Sequence, residues 1–343
     1  MQDLKKLAIP EDQRRKIASA QHNKFITEAV GHRRTHFVPA SLLDIFDDQL
    51  QLQIETRHET LATRLKEAIG EPYFSDTGFI LYSGDSLDLL GHLPADEPIF
   101  DLTLTSPPYN IGKEYEQPLP VEEYINWCVR WMTLIYSVTR ANGAFWLNVG
   151  YLEVPQQGLC VPIPYLLWNK SPFYLLQEIV WSYGAGVSSK RRLSPRNEKW
   201  LFYAKDCEDY TFNLDDIRDP NVRYPNQKKN GKYRCHPLGK NPSDVWEFPK
   251  VTTGKNRSSR ERTGHPAQFP LSVVERIVRA SSNFTDVVFD PFAGSASAGI
   301  AAAGLGRLFV GFEAKLDYCG LAVERWEEFK KERRIARQQV VLF

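Results

Sequence analysis

From Phe79 to Val149 the chain alternates short, dense apolar runs with longer stretches of helical spacing, and the same rhythm returns from Asp286 to Phe312. Phe79-Ile80-Leu81-Tyr82, residues 99–104, residues 143–149, Asp286-Val287-Val288-Phe289 and residues 307–312 read as strands. Such runs separated by helices are the signature of a mostly parallel sheet covered by helices. Residues 121–140 form one predicted helix, with Tyr124, Trp127, Cys128, Trp131 and Ile135 on one face. Residues 176–181 and 200–204 are further predicted strands. Later helices are predicted from Pro270 to about Ser282, over residues 300–304 and over residues 316–337.

Two segments do not share this rhythm. Residues 1–75 are charged and read as a helical appendage, with a capping box at Ser41-Leu42-Leu43-Asp44. The apolar series Leu42, Leu43, Ile45, Phe46, Leu50, Ile54, Leu61 and Leu65 follows and stops at Gly70-Glu71-Pro72. Its basic clusters, Arg14-Arg15-Lys16 and His32-Arg33-Arg34, could touch phosphate, but exposed helix charge is the commoner explanation of such runs. Residues 206–262 are rich in Asn, Pro, Gly and Lys without a sustained period. The predicted division is therefore 1–75, 76–205, 206–262 and 263–343.

Charge separates the third segment from the rest. The net charge is only +1, yet between Arg223 and Arg262 eleven Lys and Arg residues face three acids, with Tyr224, Tyr233, Trp246 and Phe248 among them. Positive charge gathered in one aromatic-containing, loop-rich stretch of a neutral chain points to a nucleic-acid surface. Lys228, Lys229, Arg257 and Arg260 are its candidate contacts, and Arg191, Arg192 and Arg196 extend it upstream. No stretch approaches the roughly 18 apolar residues of a membrane helix, and Met1-Gln2-Asp3-Leu4-Lys5-Lys6 lacks the apolar core of a signal peptide. A soluble, cytoplasmic protein is expected. The five cysteines have no CxxC spacing, so neither a metal site nor a disulfide framework is predicted.

Two loops carry chemistry. After the strand at 99–104 comes Thr105-Ser106-Pro107-Pro108-Tyr109-Asn110. An exocyclic amine on a nucleobase is a poor nucleophile because its lone pair is delocalised into the ring. Acceptors that bond its hydrogens localise that pair, and Ser106 Oγ and the Pro107 carbonyl are suited to the task. Adjacent prolines restrict the backbone and donate no competing hydrogen bond. Tyr109 offers a ring face on which an unpaired base can stack.

The second loop, Asp290-Pro291-Phe292-Ala293-Gly294-Ser295-Ala296, joins a strand to a helix through small residues that let a ligand approach the backbone. Glu313 lies 23 residues beyond Asp290, at the end of the next strand, where an acid can accept bonds from two ribose hydroxyls. The full G-x-G-x-x-G fingerprint of a dehydrogenase is missing. Asp290 with Glu313-Ala314-Lys315 as metal-binding acids of a nuclease is a weaker reading of the same residues.

Together these residues resemble the amino-DNA methyltransferases that use S-adenosylmethionine. Ser106-Pro107-Pro108-Tyr109 is similar to that family's catalytic tetrapeptide, and Asp290-Pro291-Phe292-Ala293-Gly294-Ser295 to its cofactor loop. Their order is the permuted one of the beta class, in which the segment between the motifs carries target recognition. Over residues 79–326 the resemblance implies a Rossmann-like, mostly parallel α/β sheet flanked by helices, the circularly permuted methyltransferase fold. An N-terminal helical appendage and an inserted target-recognition region complete the expected architecture. Asp85, in Gly84-Asp85-Ser86-Leu87, then falls near the cofactor adenine and Glu313 at the ribose. His265 and Gln268, in His265-Pro266-Ala267-Gln268-Phe269-Pro270, fall in the segment closing over the methionine part. Ala296 replaces the more typical glycine, and residues 1–75 have no counterpart.

A serine heading the tetrapeptide resembles the cytosine-N4 branch, whereas adenine-N6 enzymes more often carry Asp or Asn there. The expected partner is double-stranded DNA, from which a cytosine is flipped and methylated, releasing S-adenosylhomocysteine. The protein is expected to be a monomer or homodimer, with a cognate restriction endonuclease acting separately. Carbon-5 methylation would require a nucleophilic cysteine, and none of the five sits in a Pro-Cys pair. A DNA-binding protein that keeps the fold without catalysis is the alternative from another class.

Overall fold

The computed structural model describes residues 48–113, 117–184, 188–251 and 261–341. In chain order its strands are β1 (Phe74–Asp76), β2 (Phe79–Ser83), β3 (Phe100–Thr105), β4 (Thr139–Val149), β5 (Tyr151–Val154), β6 (Gly158–Pro162), β7 (Tyr174–Ser182), β8 (Asn197–Ala204), β9 (Lys228–Lys229), β10 (Lys232–Tyr233), β11 (Val245–Glu247), β12 (Val287–Asp290) and β13 (Leu308–Glu313). The helices are α1 (Asp48–Ile69), α2 (Ser86–Gly91), α3 (Val121–Val138), α4 (Pro164–Leu167), α5 (Leu271–Ser281), α6 (Ser297–Gly304) and α7 (Leu316–Val341).

Nine strands form one mixed sheet in the order β1-β2-β13-β12-β3-β4-β8-β7-β11. From β2 to β4 all neighbours are parallel. β8 runs antiparallel to β4 and to β7, and β11 lies parallel to β7 at the edge. Successive side chains of a strand point to opposite faces, and the two faces here carry two cores. Phe79, Leu81, Leu102, Leu104, Val288 and Phe309 pack with α5, α6 and α7, through residues such as Val274, Ile277, Ala302 and Trp326. Ile80, Tyr82, Phe145, Leu147, Phe289 and Val310 pack with α1 to α4, through Leu65, Leu90, Trp131, Ile135 and Leu167. Burial on both faces is why these strands read as continuous apolar runs.

The N-terminal region departs from the expected appendage. Leu61 and Leu65 of α1, four residues apart on one helix face, are buried with Ile80 and Tyr82, and β1 pairs antiparallel with β2. This part of residues 1–75 is built into the domain. The capping box at Ser41–Asp44 and the basic clusters near residues 15 and 33 lie outside the described residues.

Residues 206–262 also cross their expected boundary. β11 hydrogen-bonds to β7 in the main sheet, and its Trp246 is buried with its ring stacked 5.8 Å from that of Trp146. The β9–β10 hairpin, by contrast, is exposed. Among the described residues no helix is long and apolar enough to cross a membrane.

Candidate active site

The five parallel strands end on one edge, at Ser83 (β2), Glu313 (β13), Asp290 (β12), Thr105 (β3) and Val149 (β4). Crevices beyond the carboxyl ends of such strands are where open α/β sheets bind ligands. Pairing of Val288 with Leu102 and of Phe289 with Thr103 makes β12 and β3 neighbours. The two loops that stand far apart in sequence therefore leave adjacent strands. A cavity of about 470 Å³ lined by Arg57, Arg64, Arg140 and Thr285 lies at the opposite, amino-terminal ends of the strands, so it is not part of this site.

The loop after β12 is held from below. Asp290 is buried, and its Oδ1 accepts from Thr105 Oγ1 at 2.6 Å and from the Phe292 amide at 3.0 Å. Burial, with the nearby Glu313 adding to it, pushes the Asp290 carboxyl up to about 7 although both hydrogen bonds oppose the shift. Gly294 has φ +53°, which favours glycine, and a Cβ placed there would meet His265 Nε2 at 2.9 Å, so space as well as conformation selects glycine. Ala296 has the same left-handed φ of +53°, the position where the family more typically has glycine. Its fully buried methyl gains packing that offsets part of the cost of that conformation.

Glu313 extends from the end of β13 under the same loop. Its Oε2 accepts from the Gly294 amide at 2.8 Å and its Oε1 from the Lys315 amide at 2.9 Å. The Ala314 amide also bonds this carboxyl, and since a carboxylate has about four acceptor sites, one remains for a ribose hydroxyl. Burial raises its pKa despite these amide bonds. Phe292 sets its ring 5.5 Å from those of both Trp127 and Trp131, an aromatic wall beside the loop. Asp85 is exposed and caps α2 through the Leu87 and Asp88 amides, at 2.8 and 3.3 Å, while the Ser86 hydroxyl donates to the Pro291 carbonyl. The loop is thereby tied to the ends of β2 and β13.

His265 stands over Gly294, edge-on to Tyr318 with ring centroids 4.5 Å apart. Burial, with Lys113 and Arg325 nearby, depresses its pKa to about 4, so the imidazole is neutral at physiological pH. Gln268 does not join it at the loop. Its buried amide accepts from the Thr263 amide at 2.8 Å and donates to the Glu261 carbonyl at 2.5 Å, so it braces the turn that carries His265.

Arg325 of α7, which the sequence reading missed, donates from Nη1 to the Ser295 carbonyl at 3.0 Å and to Ser297 Oγ at 2.8 Å. Burial depresses its pKa to about 10. A basic residue within a run of helix charges carries no sequence mark of such a role.

The tetrapeptide of residues 106–109 is held by side chains from three elements. Tyr124 of α3 donates to the Pro108 carbonyl at 2.9 Å. The Ser106 hydroxyl donates to Tyr109 Oη at 2.9 Å, and Tyr109 donates to Asn148 Oδ1 at 2.6 Å, with Glu198 Oε2 at 3.4 Å. A Cβ on Gly150 would come within 3.1 Å of the Tyr109 ring, so glycine there makes room for the ring. Asn110, with φ +62°, brackets the following segment through bonds to the Leu119 amide and carbonyl at 2.6 and 2.8 Å.

The basic candidates divide. Arg191 and Arg192 are exposed, whereas Arg196 is half-buried and donates to the Pro195 carbonyl at 2.9 Å. Lys228 and Lys229 are exposed on the β9–β10 hairpin, with Lys228 Nζ 4.6 Å from the Tyr233 ring centre. Arg257 and Arg260 lie outside the described residues. Lys250, not among the candidates, approaches the tetrapeptide by pairing with Glu198 at 2.5 Å.

The small-residue loop, the two acids and the adjacent tetrapeptide lie at the edge of a doubly covered, mostly parallel sheet, a Rossmann-like α/β fold. The family model N6_N4_Mtase, described as DNA methylase, matches residues 100–324, and the chain belongs to that family. It is 59% identical over 274 residues to the type II methyltransferase M.ScaI of Streptomyces caespitosus, covering 79% of this chain and 90% of that protein. The PvuII DNA methyltransferase, cytosine-N4-specific, superposes with a TM-score of 0.59 at 19% identity, over 78% of this chain and 95% of its own. A DNA modification methylase of Thermus thermophilus, TTHA0409, solved in complex with S-adenosylmethionine, gives 0.51 at 23% identity over 73% and 93% of the two chains.

Proposed function

We propose that this DNA methyltransferase moves a methyl group to the exocyclic N4 amine of a cytosine flipped from duplex DNA. The methyl donor is S-adenosylmethionine, whose sulfonium supplies an activated methyl carbon, and S-adenosylhomocysteine is the product. The observation that carries the reading is the pairing of β12 with β3, which sets an amine-gripping loop beside a ligand-binding one.

The donor site fits an adenosine-containing cofactor. Glu313 retains acceptor capacity for a ribose hydroxyl, Gly294 keeps the backbone approachable, and Phe292 supplies an aromatic wall. Asp85 would lie toward the adenine and His265 over the methionine part. In the acceptor half, Ser106 Oγ and the Pro107 carbonyl bond the amine hydrogens, and Tyr109 stacks on the base. Orientation and exclusion of water would carry most of the rate: as the nitrogen–methyl bond forms, the methyl–sulfur bond would break, and the methylated amine would release one proton to water. The base assignment rests on Ser106 heading the tetrapeptide and on the likeness to the cytosine-N4-specific PvuII enzyme. The family joins N6 and N4 enzymes, which makes adenine-N6 the alternative.

Residues 206–262 serve target recognition. Lys228 and Lys229 on the exposed hairpin, with Arg191, Arg192 and Arg196, contact phosphates, and Arg257 and Arg260 complete the set. A companion endonuclease cutting the same sequence fits a restriction-modification role. Incubation with methyl-labelled S-adenosylmethionine and mixed-sequence duplex DNA in magnesium-free buffer tests the activity. Label on the DNA is the expected result, and unlabelled DNA at full cofactor occupancy contradicts it.

A further inference from the structure

A serine hydroxyl is an ambiguous grip for an amine. It can donate as readily as it accepts, whereas localising the lone pair of the target nitrogen requires an acceptor alone. A carboxylate in the same place is acceptor-only by nature. A serine must have its own proton sent elsewhere.

The hydrogen bonds behind the tetrapeptide provide that direction. The far end of the chain is Asn148, which is fully buried and whose Nδ2 donates to the Lys199 carbonyl at 3.1 Å. This bond fixes the flip of the amide and turns Oδ1, an acceptor only, toward Tyr109 Oη at 2.6 Å. The second group near that hydroxyl is Glu198, whose Oε2 is 3.4 Å away. Its Oε1 takes Lys250 Nζ at 2.5 Å and the Tyr183 hydroxyl at 3.4 Å. Both neighbours on that side of Tyr109 thus present acceptors. The tyrosine proton points to them, its lone pair points to Ser106, and the Ser106 proton is drawn to Tyr109 at 2.9 Å.

We infer that Asn148, supported by Glu198, is a positioning residue that sets the direction of the Ser106–Tyr109–Asn148 chain, leaving Ser106 Oγ only acceptor lone pairs for the target amine. The chain ends in the neutral amide of Asn148, and the Glu198 carboxylate beside it is paired with Lys250. Pro107 and Pro108 keep that direction unchallenged, having no amide hydrogen to offer Ser106 Oγ. The same chain makes Tyr109 serve twice, by ring face against the base and by hydroxyl behind the serine. This inference rests on Ser106 gripping the amine.

The test is single-turnover methyl transfer to DNA by the wild type, Tyr109→Phe, Asn148→Ala and the double variant, with KM for DNA and cofactor measured alongside. Tyr109→Phe keeps the ring and removes one oxygen. Each single variant should lower the rate about tenfold, as expected for one lost directing hydrogen bond. KM should stay within about twofold, and the double variant should be no slower than the slower single one, since both break one chain. A wild-type rate for Tyr109→Phe, or losses that multiply in the double variant, would overturn the inference. Should Asn148→Ala fail to bind cofactor, Tyr109→Phe alone decides, because its rate loss at unchanged KM separates direction from folding. If the wild type itself places no label on an amino nitrogen, the reading of Ser106 falls first. If it does and Tyr109→Phe matches it, only the directed chain falls.

Discussion

The two loops that meet at the carboxyl edge are held by different means. The loop after β12 is fixed by backbone amides, by left-handed turns at Gly294 and Ala296, and by the buried Asp290 and half-buried Glu313. The loop after β3 is fixed by its two prolines, by the Tyr124 hydroxyl donating to the Pro108 carbonyl, and by the Tyr109 hydroxyl donating to Asn148 Oδ1. A loop built on backbone and strain makes a rigid seat for a ligand common to many enzymes. A loop built on side-chain hydrogen bonds can be tuned at single atoms, which is what an amine grip needs.

That contrast should separate under mutation. The largest effect belongs to Tyr109→Ala, which removes the stacking face and the hydroxyl together. Turnover should fall roughly 100-fold, since one base–aromatic stack is worth about 1–3 kcal/mol, while cofactor affinity by calorimetry stays near wild type. Near-normal turnover would rule out the stacking role.

Glu313→Ala should do the reverse, weakening cofactor binding at least about tenfold through the loss of a charge-assisted bond to a ribose hydroxyl. An unchanged affinity would remove Glu313 from the site. A smaller and different change is expected on the recognition side. Lys228→Ala and Lys229→Ala should each weaken DNA binding across sequences and flatten the salt dependence by about one unit of slope. A loss confined to one sequence would instead make the hairpin lysine a reader of bases.

The subtlest prediction concerns Asp290. Its folded pKa of about 7 lies above the ordinary carboxylate value because of burial, so the fold favours the protonated acid. The stability contributed there is full at low pH and is lost as pH rises from about 4 through 7. Asp290→Asn keeps an Oδ1 for both Thr105 and Phe292 and removes the charge. Relative to the wild type it should gain on the order of 1 kcal/mol in denaturant unfolding at pH 8 and nothing at pH 4. Equal differences at both pH values would contradict the shifted acid.

Much of this site could be read along the chain because its features are local. The apolar runs before Ser106 and Asp290 mark strand ends, and the prolines and small residues that follow mark loops of defined behaviour. The sheet was legible for the same reason, although β8 begins at Asn197 rather than Trp200 and β4 at Thr139 rather than Gly143. What stayed hidden depends on contacts between distant residues. Asn148 lies 39 residues from Tyr109 and Glu198 lies 89, and their roles follow from β4 pairing with β8 rather than from any motif. The bracing contacts of Gln268 are likewise not marked by its motif. Its neighbours Glu261 and Thr263, five to seven residues upstream, claim its amide. Helix α1 was read as an appendage because this stretch is charged, yet Leu61 and Leu65 are buried against the sheet, with Ala62, Ala68 and Ile69 packed beside them.

The central claim is that the β3 loop grips an exocyclic amine of cytosine. Digesting enzymatically methyl-labelled DNA to nucleosides and separating them reads the methylated atom directly. Label in N4-methyldeoxycytidine is the predicted result. Label in 5-methyldeoxycytidine would contradict the amine grip itself, and label in N6-methyldeoxyadenosine would contradict the choice of base.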